Sequence, residues 1–228
     1  MNWLVNNLEL VWTLSVEHIA LSIPPVIIGF VIALPLGWLA HRYKLTRGIL
    51  LTIVGLLYTI PSLALLVILP PLVGLSVLSS ENVITALSIY AVALMVRSVT
   101  DALDSVDADV RQSATAVGFS SWRRFWTVEF PLAGPVLLAG LRVVAVSTVS
   151  LVTVGAVLGI KSLGLLFTDG LQRNIVAEVF AGMVATIALA LVIDAVLVLV
   201  GRLVMPWTRA TRVASTRRAR LTAEAAAS

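Results

Sequence analysis

Apolar residues run through this chain in blocks too long for a soluble core, and the polar breaks between them divide it into elements. Residues 19–40 form the first block, close to the roughly 20 residues that a helix needs to cross a bilayer. A second spans residues 49–69 with Pro61 inside it, predicting a kinked helix that Pro70 and Pro71 close. Further spans are expected at residues 83–99, from about 132 or 136 to 158, and at 179–204. Residues 1–18, with Trp3, Trp12 and several polar side chains, are too polar to span and read as an interfacial helix. Gly29, Ala33 and Gly37 form a stripe of small residues suited to close helix packing. Residues 159–177 read as a loop with a partial helix, and 206–228 as a basic, disordered tail.

The longest polar interruption is residues 107–131, DADVRQSATAVGFSSWRRFWTVEFP. Val106, Val110, Ala114 and Val117 recur at helical spacing and predict one short helix. Gly118 is free to take a positive φ and would end it. Ser120 or Ser121 would cap a second helix bearing Trp122, Phe125 and Trp126, with Arg123 and Arg124 beside them. Pro131 marks the entry to the next span. The pattern alone is compatible with a solvated loop or with a docking element.

Composition makes the class an integral membrane protein: 59% of the 228 residues are hydrophobic and 12% charged, about half the charged share of a soluble domain. A single domain is expected at this length. There is no cysteine, which removes disulfides and thiolate metal sites. No cleavable leader is expected at the N-terminus. The net charge of +4 does not point to nucleic acid, because the basic residues flank apolar spans. Arg42, Lys44 and Arg47, then Arg97 to Arg124, then the C-terminal arginines fall on one side, against Lys161 and Arg173 on the other. The positive-inside rule then places the N-terminus outside, and the C-terminus and the 107–131 loop in the cytoplasm.

Candidate chemistry is sparse. Gly155 to Ser162 imitates a phosphate loop but has three residues between its glycines, with Ile160 before Lys161, so any nucleotide is bound elsewhere. His18 and His41 stand about 33 Å apart by helical rise and cannot share a metal. No catalytic constellation is visible, and no catalysis is expected within the chain. Asp194, deep in the last span, is either a cation or proton site or an acid satisfied by a neighbour, Arg142 being the obvious one. Tyr58 and Tyr90 are candidates to line a path for a quaternary ammonium ion, or simply pack. Trp3, Trp12, Trp38 and Trp207 read as interface anchors.

The 107–131 stretch resembles the EAA loop of permease subunits of type I ABC importers. Gln112, Ser113 and Ala114 stand at the Glu-Ala-Ala positions, Gly118 is the glycine, and Val128-Glu129-Phe130-Pro131 closes the motif after nine residues. Gln112 in place of glutamate is the main departure. The run Tyr58-Thr-Ile-Pro-Ser-Leu-Ala-Leu-Leu66 and the stretch from Pro131 to Gly164 resemble the glycine betaine, carnitine and choline branch. The resemblance implies an all-α, MetI-like ABC transmembrane type-1 domain over residues 19–205, with about five spans. It implies ATPase coupling through Gln112, Ser113, Ala114, Gly118, Trp122, Arg123 and Pro131. Tyr58, Pro61, Ser62 and Tyr90 become candidate translocation-path residues. The implied partners are two ATP-binding subunits that hold ATP and Mg, a second permease subunit (identical or a close homologue), an extracytoplasmic solute-binding protein and membrane lipid. The implied function is import of compatible solutes across a bacterial inner membrane. Rival readings are a methionine or sulfonate permease, a secondary transporter or membrane enzyme built on Asp194, and a scaffold without transport.

Overall fold

The computed structural model describes residue 3 and residues 6–207, so the expected tail beyond 207 lies outside the described residues. Among the described residues, helices account for every regular element: α1 (Leu8–Arg42), α2 (Lys44–Thr59), α3 (Ser62–Val73), α4 (Ser80–Asp104), α5 (Ala108–Ala116), α6 (Ser121–Arg124), α7 (Phe130–Gly155), α8 (Leu165–Gln172) and α9 (Val176–Val204). A π-turn at Phe125–Glu129 joins α6 to α7, and a 3₁₀ turn at Ala156–Leu158 follows α7. Among the described residues, four helices are long and apolar enough to cross a membrane, and the α2–α3 pair makes a fifth when counted as one span.

Two expectations about the spans are corrected. Residues 8–18 are no separate interfacial helix; they continue the first span as one helix through Arg42. His18, at the expected junction, is buried and satisfied from other elements. Its Nε2 lies 2.9 Å from the Val149 carbonyl, and its Nδ1 accepts the Leu163 N–H at 3.3 Å. This pairing requires a neutral ring with the proton on Nε2. The second span does not merely kink at Pro61: α2 and α3 meet at 104°. Proline drives the residue before it out of the helical region, and Ile60 and Pro61 are both extended, with ψ of 129° and 130°. Two consecutive extended residues turn the chain far more than one lost helical bond would. Pro131 stands in the first turn of α7, at the entry to the span as expected, while the helical backbone continues across it. The helix runs unbroken from Ser121 to Leu158 because the π-turn absorbs the missing N–H, with the Phe130 N–H reaching back to the Phe125 carbonyl.

Helix α4 is the centre of the bundle. Its capping Ser79 accepts the Asn82 N–H, and Val83, Leu87, Met95, Val96, Val99 and Leu103 are all buried. The small-residue stripe of α1 lies on it: Gly29, Ala33 and Gly37 are buried against Ala91 and Val99. A Cβ at Gly29 would lie 2.6 Å from the Ala91 Cβ and 2.9 Å from its carbonyl carbon, so the two backbones would have to separate. Gly29→Ala should therefore destabilise the bundle by about 1–3 kcal/mol, seen as a lower thermal midpoint of the detergent-solubilised protein. An unchanged midpoint would show that the α1–α4 contact is not tight.

Candidate coupling surface

The polar stretch forms two short helices about a glycine corner. The Asp107 carboxylate accepts the Asp109 N–H at 2.8 Å and starts α5. Gly118 has φ +90°, and the chain returns on itself through Gly118 N–H to the Thr115 carbonyl and Phe119 N–H to the Ala114 carbonyl. Ser120 Oγ caps α6 by accepting the Arg123 N–H. The expected apolar stripe splits. Val106 precedes α5 and belongs to the core, while Val110 and Val117 point outward, Val117 at 78% exposure.

Gln112, Ser113, Gly118 and Arg123 are exposed, and Ala114 and Pro131 are partly buried. Trp122 is 71% exposed, with its ring edge-on to Trp126 at 5.7 Å. The Arg123 guanidinium covers the Phe119 ring at 4.7 Å. From Trp122 an aromatic ladder descends inward: Trp126 meets Phe125 at 5.0 Å, and buried Phe125 meets Trp38 of α1 at 6.3 Å. Trp38 is therefore more than an interface anchor; it ties α1 to this surface.

Two polar ties hold the surface to the bundle, and neither was visible in the sequence. Arg124 donates through Nε to buried Glu129 at 2.5 Å and through Nη1 to the Thr115 hydroxyl at 2.7 Å, clamping α5 against the π-turn. In an α-helix, residues five apart point about 140° away from each other. The π-turn brings these two together, which is why helical periodicity hides the pair. The second tie runs from Arg111 of α5 to His41 Nε2 (3.1 Å), then from His41 Nδ1 to Asp104 (2.6 Å), which also accepts from Arg47. It links α5 to the facing ends of α1, α4 and α2. An open cleft of about 750 Å³ runs beside α5, lined by His41, Arg42, Asp104, Arg111, Gln112 and Arg124.

The second candidate group also converges. Tyr58 and Tyr90 meet edge-on at 6.0 Å beside the α2–α3 bend, where Pro61 and Ser62 lie. Tyr90 is buried and donates its hydroxyl to the Ile60 carbonyl that the bend leaves free. Asp194 is paired with Arg142, as one of the two readings of that acid required. Gly155–Ser162 closes a helix instead of opening one, the reverse of a phosphate loop.

Residues 26–210 match the family described as the binding-protein-dependent transport system inner membrane component. The chain belongs to this family. The osmoprotectant import permease protein OsmW of Salmonella typhimurium is 31% identical over 199 residues, covering 85% of this chain and 91% of that protein. The glycine betaine/carnitine/choline transport system permease protein OpuCB of Bacillus subtilis is 30% identical over 190 residues, covering 83% and 86%. Among solved structures, the inward-facing MetNI methionine ABC transporter superposes with a TM-score of 0.68 at 24% identity, over 86% of this chain and 93% of that one. That likeness establishes the MetI-like fold. The chain is a multi-pass inner-membrane permease of an ABC importer, without ATPase activity or a cofactor of its own. Its family is that of binding-protein-dependent transport systems. Membership of this family replaces the reading of Asp194 as the centre of a secondary transporter.

Proposed function

We propose that this permease forms the translocation path of an ATP-driven importer of compatible solutes of the glycine betaine, choline and carnitine type. The observation that carries the substrate class is the similarity, along more than four-fifths of the chain, to permeases named for those solutes. The Tyr58–Leu66 segment supports it, since Tyr58, exposed beside the bend and braced edge-on by buried Tyr90, offers an aromatic face to a quaternary ammonium ion. The likeness to the methionine transporter supports the fold and gives methionine no comparable claim.

Coupling is assigned to the outward surface of α5 and α6. Gln112, Ser113, Ala114 and Gly118 shape the first helix and its corner; Trp122 and Arg123 face the ATPase, and Pro131 sets the register of the span behind them. Two ATP-binding subunits and a second permease subunit, identical or a close homologue, complete the membrane complex, with an extracytoplasmic solute-binding protein and surrounding lipid. The N-terminus lies outside and the C-terminus in the cytoplasm. The clustering of Arg42, Lys44, Arg47, Arg111, Arg123 and Arg124 at the α5 end of the bundle supports that orientation.

Uptake of labelled glycine betaine, choline and carnitine tests the substrate. The host would lack its own osmolyte importers and express this chain with its ATPase and binding protein. ATP-dependent accumulation of at least one solute is expected. Accumulation of labelled methionine or a sulfonate in their place would reassign the substrate.

The Arg111–His41–Asp104 tie gives a second expected result. A charge-assisted hydrogen bond contributes about 1.5–3 kcal/mol, so a tie made in only one end state biases the two states about tenfold or more. His41→Ala should lower solute moved per ATP about tenfold while ATP hydrolysis persists, with partial recovery in His41→Gln. An unchanged ratio would show that the tie is not used in coupling.

A further inference from the structure

Arg142 stands twelve residues after the start of α7 and thirteen before its end. Asp194 is ten residues from the nearer end of α9, about 15 Å along the axis. Both therefore lie deep within a hydrocarbon layer about 30 Å thick. They form a two-pronged pair, Arg142 Nε to Asp194 Oδ1 at 2.6 Å and Nη2 to Oδ2 at 2.7 Å. Yet 41% of the Arg142 side chain and 25% of that of Asp194 remain uncovered. Among the described residues, Arg142 Nη1 makes no bond.

Charged side chains at this depth face a bundle interior or a water-filled path, not lipid. The flanks of the α7–α9 seam distinguish the two. On one flank, α1 closes an apolar groove of about 350 Å³ lined by Ile23, Val26, Ala145, Val149, Leu189 and Val192, and neither member of the pair contributes to it. The pair's uncovered part opens elsewhere. Beside Arg142 on α7, Ala139, Val143, Val146 and Ser150 stay exposed at spacings of three and four, a stripe of small side chains with a hydroxyl in it.

We propose that the Arg142–Asp194 pair faces the solute path between permease subunits and takes the two charged ends of a zwitterion, a small molecule bearing one carboxylate and one quaternary ammonium. The proposal rests on the compatible-solute reading. The free Nη1 donates to the solute carboxylate. Asp194, which keeps unused lone pairs, attracts the ammonium, which has no N–H and needs only negative charge beside it. Two opposite charges held side by side match a solute whose own charges are a few bonds apart. Because the pair neutralises itself, it presents no net charge, and a passing solute is held loosely enough to leave again.

The test uses the complete complex in proteoliposomes. Arg142→Leu/Asp194→Leu removes both charges together and strands neither. Glycine betaine uptake per ATP should fall about tenfold in that variant, the loss of one charge-assisted contact, and choline uptake, which has no carboxylate to place, should fall less. Equal losses for the two solutes, or no loss, would overturn the proposal. Import of neither solute by the unaltered complex counts against the compatible-solute reading itself; a labelling experiment then decides the pair. The chain has no cysteine, so single cysteines can be placed without background. Val143→Cys and Val146→Cys should react with a membrane-impermeant methanethiosulfonate, and Ile23→Cys in the apolar groove should not. Silence at 143 and 146 would place that stripe in lipid or a dry contact and remove the path assignment.

Discussion

Gly118→Val should abolish solute uptake while the protein still reaches the membrane in normal amounts. Nothing stands within 4 Å of a Cβ at this position, so the substitution meets no neighbour. What it meets is the backbone: at φ +90° an L-residue pays about 1–2 kcal/mol, and valine more, because its branch crowds the adjacent peptide. The chain escapes by abandoning the corner, which releases the two return bonds to the Thr115 and Ala114 carbonyls. The angle between α5 and α6 is then lost, though the core, which contains no part of this corner, is untouched. The expected result is background uptake, with ATP hydrolysis no longer stimulated by the loaded binding protein. Gly118→Asn makes the control, since asparagine tolerates the left-handed region and has open space for its side chain. Normal uptake by the valine variant would detach this corner from coupling.

Arg124→Leu carries the other large expected effect. The variant leaves Glu129 buried without its cation, and breaking a buried pair from one side costs about 3–5 kcal/mol. It also removes the donor to the Thr115 hydroxyl, so α5 loses its clamp to the π-turn. The expected result is a lower thermal midpoint together with loss of uptake. Arg124→Leu/Glu129→Leu separates the two effects, because replacing both members of a buried pair by apolar groups is often neutral for stability. The double variant should regain its midpoint and still fail to couple, since the Thr115 tie stays broken. Recovery of uptake along with stability would mean that Arg124 serves only the fold.

The features that could be read from the sequence were those with a local cause. Span positions follow from runs of apolar residues, and the corner at Gly118 with its Ser120 cap follows from residue types that suit those backbone states. Close packing at Gly29 and Gly37 follows from a four-residue spacing of small residues. What escaped depends on partners distant in sequence or on a change of helical register. His18 looked like a boundary residue until Val149 and Leu163 supplied its bonds. Arg124 and Glu129 diverge in an α-helix and meet only because the π-turn widens it. The sharpness of the bend at Pro61 depends on Ile60 and Pro61 both being extended, which a proline alone does not dictate.

The unbroken helix from Ser121 to Leu158 makes this permease a machine with a long arm. Its 38 residues measure about 57 Å along the axis. Pivoted at its midpoint, such a rod moves each tip about 2.5 Å for every 5° of tilt, by the same helical rise. A displacement of the Trp122 end by such a tilt is matched at the Leu158 end, equal in size and opposite in direction. Stiffness then sets how closely the motion of one end follows that of the other.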